Sequence, residues 1–337
     1  MVSLRHFSAN AAFYSSMLLL LLSVKVIASN SENDLSEIEN FGVNPGNLRM
    51  FIHAAELPND TAAMPLVVVL HGCSQDAKAV AELSGWNKLA DLNGFMVLYP
   101  QQRTLNNPNT CFNWFVEHDI EKGQGECESV YNMIRFVQAN YHINASRIFI
   151  TGLSAGAAMS VVMAATHPEL FNAAAVFAGG AYKIATNARE LLVSMRGNTD
   201  VSAAGLIEAV ITQNPAYLGK YPKMIVYQGM NDPIVNHRNA DYIIYQWTGV
   251  NHTDTIPEWR QSAFMEMPDI TRSVYQDSSS EDVCILYEVR NIGHRLLVNP
   301  GNAPDEGGKT GLFGVDRGFH STFQTARDFG LIITKTD

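Results

Sequence analysis

Between Arg147 and Met159 the chain reads Arg-Ile-Phe-Ile-Thr-Gly-Leu-Ser-Ala-Gly-Ala-Ala-Met. An alternating apolar strand here runs into an Ala/Met-rich helix, and Ser154 sits at the break. A Gly-x-Ser-x-Gly turn of this kind forces the serine into a strained backbone and lifts its hydroxyl above the sheet. Gly152 and Gly156 leave room where strand and helix close on one another. The context predicts a nucleophilic Ser154, with the backbone N–H of Ala155 aimed at a developing oxyanion.

The rest of the pattern supplies the sheet that such a turn needs. Near-continuous apolar runs over 65–72, 94–100, 147–151, 173–180, 223–229 and 283–289 predict strands buried on both faces. Helical patterns over 77–93, 129–141 and 155–167 fall between them. That alternation implies an α/β fold with a mostly parallel central sheet flanked by helices, and ligands bind beyond the carboxyl ends of such strands. Residues 182–222, which look helical, and the mixed stretch 247–281 do not fit the repeat. Each is expected to be a lid, a cleft wall or a surface insertion.

A serine hydroxyl needs a base, and the base needs an orienting acid. Asp232 follows the strand at 223–229 through a glycine turn, and His294 follows the last buried strand on a Gly-supported loop. Asp200 and Asp254 are alternative acids, and His320 is an alternative base. The loop after the first buried strand, Leu70-His-Gly-Cys-Ser-Gln, is placed to give a second oxyanion N–H, from Cys73 or Ser74. His71 is read as a brace for that loop. Nothing in the pattern calls for a metal or an organic cofactor.

The first 28 residues read as a signal peptide. Arg5 and His6 precede an apolar stretch centred on residues 17–24, too short to span a bilayer, and small residues follow. An exported protein, secreted or periplasmic, is expected, with no stable membrane association after signal removal. Residues 29–40 are expected to be a disordered lead-in, and 41–335 one catalytic domain. The net charge of −10, without a basic cluster, argues against a nucleic-acid partner. Four cysteines (Cys73, Cys111, Cys127 and Cys284) in an exported chain predict two disulfides, with three pairings open.

Several segments together resemble the polyhydroxybutyrate depolymerase family of esterases, relatives of feruloyl and acetyl-xylan esterases. They are Phe41-Gly-Val-Asn-Pro-Gly-Asn-Leu-Arg-Met, Val69-Leu-His-Gly-Cys-Ser-Gln, Asn106-Asn-Pro-Asn-Thr-Cys-Phe-Asn-Trp-Phe, Gly123-Gln-Gly-Glu and the Ser154 turn. Downstream, the Asp232 turn, Gly293-His294, Gly307-Gly-Lys-Thr-Gly-Leu-Phe and Arg327-Asp-Phe-Gly-Leu continue the likeness. The resemblance implies an α/β-hydrolase fold, whose order is serine, acid, histidine. It implies Ser154, Asp232 and His294 as the triad and the N–H groups of Cys73 and Ala155 as oxyanion donors. It also implies a Cys73–Cys111 bridge, leaving Cys127 with Cys284, and Trp114 lining the cleft. The expected substrate is an ester or polyester. Many extracellular depolymerases of the family carry a linker and a polymer-binding domain. Neither is visible in this sequence, so soluble oligomers or small esters are expected. Feruloyl or acetyl-xylan ester hydrolysis is the alternative, and a non-catalytic binding protein on the same scaffold is a reading of another class.

Overall fold

In the apolar runs successive side chains go to opposite faces, and both faces are covered. Leu66, Val68, Leu70, Ile148 and Ile150 join one core; Val67, Val69 and Phe149 join the other. The computed structural model describes residues 35–55 and 62–332. The signal segment expected over 1–28, residues 29–34 of the expected lead-in, and residues 56–61 and 333–335 of the expected domain lie outside them.

The main sheet has ten strands. In chain order they are β1 (Ser36–Ile38), β2 (Arg49–Ala54), β3 (Met64–Leu70), β4 (Met96–Gln101) and β5 (Ile143–Leu153). Then come β6 (Ala173–Phe177), β7 (Lys223–Gly229), β8 (Trp259–Gln261), β9 (Ile270–Gln276) and β10 (Asp282–Val289). Their order across the sheet is β1-β2-β4-β3-β5-β6-β7-β10-β9-β8. The run from β4 to β10 is parallel, and antiparallel strands extend it at both edges. The helices are α1 (Ala77–Ser84), α2 (Trp86–Asn93), α3 (Gly125–Asn140), α4 (Ala155–Thr166), α5 (Ala188–Met195), α6 (Ala203–Ile211), α7 (Arg238–Val250) and α8 (Ser321–Asp328). Helix α4 is apolar apart from Ser160 and Thr166, and every residue in it is buried, as expected of a helix packed on all sides.

Three expectations change. The helix foreseen over 77–93 is two helices, because Gly85 takes φ 75° and ends the first by donating to the Ala81 carbonyl. The lead-in is not wholly disordered: residues 36–38 form β1 on β2, and Arg49 clamps Glu37 with hydrogen bonds of 2.7 and 2.6 Å. Cys127 and Cys284 are not paired; both thiols are free and buried. Cys127 lies on α3, which packs over β4 and β5. Cys284 lies on β10, three strands beyond β5 and so roughly 14 Å away at ordinary strand spacing. An even cysteine count carries no information about that separation.

Near their carboxyl ends β6, β7 and β10 carry an in-register aromatic stack. Phe177, Tyr227 and Tyr287 face one another at ring-centroid distances of 4.4 Å. This rigid floor lies just before the loops that carry the polar residues discussed next.

Candidate active site

Ser154 takes φ 58° and ψ −119°, a conformation that costs a non-glycine residue on the order of 1–3 kcal/mol. Its backbone N–H is held by the Phe177 carbonyl at 2.9 Å. The two flanking glycines are needed sterically. A Cβ on Gly152 would lie 2.8 Å from Ala157 N, and one on Gly156 2.5 Å from the His71 carbonyl oxygen. Strand β5, helix α4 and the loop after β3 therefore meet at one point, and Ser154 crowns it.

Asp232 and His294 are brought together. Asp232 Oδ2 accepts from His294 Nδ1 at 2.7 Å. Asp232 Oδ1 accepts from the N–H groups of Ile234 and Val235 at 2.8 and 2.9 Å, which fixes the carboxylate. The Asp232 side chain is fully buried and that of His294 is 5% exposed. Their loops are tied by Asn231 N–H donating to the Ile292 carbonyl at 3.0 Å. Ser154 and His294 are not hydrogen-bonded to one another among the described residues. In enzymes without bound substrate this contact is commonly long and tightens on binding.

The rival residues lie elsewhere. His320 is buried at the start of α8 and donates through Nε2 to the Ser84 carbonyl at 2.8 Å. Asp254 is exposed and accepts from Ile256 N–H, and Asp200 is exposed as well.

The loop after β3 is held by His71. Its Nδ1–H donates to the Gly72 carbonyl at 2.8 Å, and Nε2 accepts from Gln102 N–H at 3.1 Å. Burial pushes its pKa down to about 4, so the ring stays neutral and keeps this tautomer. Ser74 N–H is committed to the Asn109 carbonyl at 2.7 Å. Of the two candidates, that leaves Cys73 N–H without a hydrogen bond among the described residues, beside the first N–H of α4 at Ala155. A disulfide joins Cys73 to Cys111.

Ser154 opens into an almost wholly apolar cavity of about 150 Å³. The disulfide, Trp114, Phe115, Ala158 and Val235 line it, and Leu191 and Met195 of α5 complete the wall. Sequence reasoning missed these last two; the only signal was that 182–222 interrupts the strand series. Nothing from 247–281 lines the cavity. Trp247 is buried in α7, donating to the Pro222 carbonyl at 2.6 Å, and the remainder builds the β8–β9 edge.

A family profile described as "Esterase PHB depolymerase" matches residues 52–261. Poly(3-hydroxyalkanoate) depolymerase C of Paucimonas lemoignei is 36% identical over 310 residues, 92% of this chain and 73% of that protein. A probable acetylxylan esterase A of Neosartorya fischeri is 33% identical over 67% of this chain and 61% of its own length. Among solved structures, an acetyl xylan esterase from Aspergillus awamori superposes with a TM-score of 0.73 at 24% identity, covering 89% of this chain and 100% of that one. That likeness carries the fold, an α/β hydrolase. By the profile and the depolymerase relative, this chain belongs to the polyhydroxybutyrate depolymerase family of esterases.

Proposed function

We propose that this esterase cleaves short-chain hydroxyalkanoate esters through a covalent acyl-enzyme on Ser154. His294 takes the Ser154 proton as the hydroxyl attacks the ester carbonyl, and then delivers it to the departing alcohol. Water repeats the sequence and frees the acid. Asp232 holds the imidazole in one tautomer and stabilises its positive charge. Cys73 N–H and Ala155 N–H receive the oxyanion. The observation that carries the reading is the buried Asp232–His294 hydrogen bond of 2.7 Å, made at the sheet end where the Ser154 turn opens into an apolar cavity. That cavity is well below the 300–1,000 Å³ of sites for drug-sized ligands, which favours a short acyl group.

Export fits the Cys73–Cys111 disulfide, since such bonds persist in oxidising compartments. We place the mature protein in the periplasm or outside the cell after removal of residues 1–28. No helix of the described residues is long and apolar enough to cross a membrane.

The test is Ser154→Ala assayed on p-nitrophenyl butyrate, with fluorophosphonate labelling of the parent. Turnover should vanish in the variant while its melting temperature is kept, and only the parent should be labelled. A variant as fast as the parent would falsify the assignment. The 33% identical acetylxylan esterase relative supports a second reading, acetyl-ester hydrolysis on polysaccharide. Rates on hydroxybutyrate oligomers, acetylated xylan and methyl ferulate separate the possibilities.

A further inference from the structure

The Gly123-Gln-Gly-Glu126 segment takes no part in the chemistry above, yet its glutamate is buried at 1% exposure in the first turn of α3. One Glu126 oxygen accepts from the Gln102 side-chain amide. The other accepts from Asn113 N–H at 2.8 Å. Gln102 then reaches both sides of the bridge. Its backbone N–H donates to His71 at 3.1 Å, and its side-chain amide donates to the Cys111 carbonyl, also at 3.1 Å. Asn113 directly precedes Trp114 of the cavity wall, and its side chain donates to Asp119 at 3.2 Å. Asp119 in turn accepts from Glu126 N–H at 3.2 Å.

We propose that Glu126 is a positioning residue for ester hydrolysis, holding through Gln102 and Asn113 the two stretches joined by the Cys73–Cys111 bridge. The proposal rests on the serine-esterase reading. One stretch presents Cys73 N–H to the oxyanion, and the other presents Trp114 to the acyl group. Glu126 thus sets the spacing of both without touching substrate.

The site calls for a carboxylate. Both oxygens face N–H donors, so an amide in its place would turn its NH₂ against Asn113 N–H or against the Gln102 amide. Turning the Gln102 amide over would surrender the Cys111 carbonyl. Burial first and Asp119 second push its pKa up to about 8, so the charged, acceptor-only form that the two N–H donors favour is reached only as pH rises through that value. No cation is hydrogen-bonded to it among the described residues.

The experiment compares the full chain with Glu126→Gln on p-nitrophenyl butyrate, together with inhibition by butylboronic acid, which mimics the tetrahedral oxyanion. A displaced oxyanion donor lowers kcat by about tenfold to a hundredfold with KM little changed. Boronate affinity then falls by the same factor as kcat/KM, because both report transition-state binding. Parental kcat and parental boronate affinity would overturn the proposal, and so would a loss of kcat with boronate binding intact. If Glu126→Gln shows no cooperative melt, Gln102→Met interrupts the same path and must give the same paired loss; parental behaviour there also overturns it. Ser154→Ala is run alongside. Turnover retained in that variant removes the serine-esterase reading itself. An inactive Ser154→Ala beside a parental Glu126→Gln removes only the positioning role.

Discussion

Gly229 ends β7 and pairs with Val289 of β10, and the backbone carrying His294 passes directly over it. A Cβ at position 229 would lie 2.5 Å from the Gly293 carbonyl oxygen and 2.6 Å from that of Ile292. An ordinary contact begins near 3.4 Å, so Gly229→Ala must displace this loop by close to an ångström. Strand pairing holds β7 and β10 in register just below, so the loop itself has to lift. His294 is the next residue, and its 2.7 Å bond to Asp232 cannot absorb such a movement intact. A 1 Å misplacement in a catalytic array costs about a hundredfold in rate, and overpacking costs about 1–3 kcal/mol of stability. We therefore expect kcat/KM on p-nitrophenyl butyrate to fall about a hundredfold and the melting temperature to fall modestly. Gly311→Ala is the control, since a Cβ there meets nothing within 4 Å. A Gly229→Ala enzyme with parental kcat/KM would show that the Asp232–His294 geometry is not what limits turnover.

Other expectations follow from features already described. Ellman's reagent should find no reactive thiol in the native protein, two after unfolding without reductant and four after reduction, because Cys127 and Cys284 are buried and free. Burial pushes the Cys127 thiol up to about 12, which keeps it unreactive even beside His167. Removing the bridge with Cys73→Ser/Cys111→Ser should cost about 4 kcal/mol in denaturant unfolding for its 38-residue separation. Met195→Ala should open the acyl cavity, raising kcat/KM for hexanoate relative to butyrate esters by up to about fourfold per added methylene. Glu126 gives a pH dependence of definite sign. Its folded pKa is raised from 4.5 to about 8, so its contribution is complete below about pH 4.5 and is lost as pH rises through 8. The parent should therefore lose stability relative to Glu126→Gln between pH 5 and 9, by about 4 kcal/mol; equal denaturant midpoints at both ends would contradict this.

The parallel strands were legible because burial on both faces leaves uninterrupted apolar runs, as in 65–72 and 223–229. The antiparallel strands β2 and β9, each next to the outermost strand, carry polar residues such as Arg49, His53, Thr271 and Arg272 and gave no comparable run. Ser154, Asp232 and His294 could be singled out because each follows a strand end, and the fold puts the last two in contact. Trp114 was named from the family resemblance, and it does line the cavity. Leu191 and Met195 could not be found that way: an apolar residue on a short amphipathic helix looks the same whether it faces the core or a ligand. Glu126 was visible only as part of the Gly123-Gln-Gly-Glu segment, since its burial depends on how Gln102 and Asn113 fold back onto it from the connection between β4 and α3. The pairing of Cys127 with Cys284 failed for a similar reason, because α3 and β10 are separated by the order of the sheet rather than by the length of the chain.

Helix α5 buries only Ser194 completely, yet it supplies one side of the acyl cavity. Ser154, Asp232 and His294 follow strand ends of the sheet, whereas α5 is tied to the segment after Asp232: Asn236 N–H donates to the Met195 carbonyl at 2.8 Å and the Asn239 side chain to that of Ser194 at 2.9 Å. Substitutions confined to the Leu191 and Met195 side chains, which leave those backbone contacts in place, are therefore expected to alter acyl preference without moving the Asp232 turn.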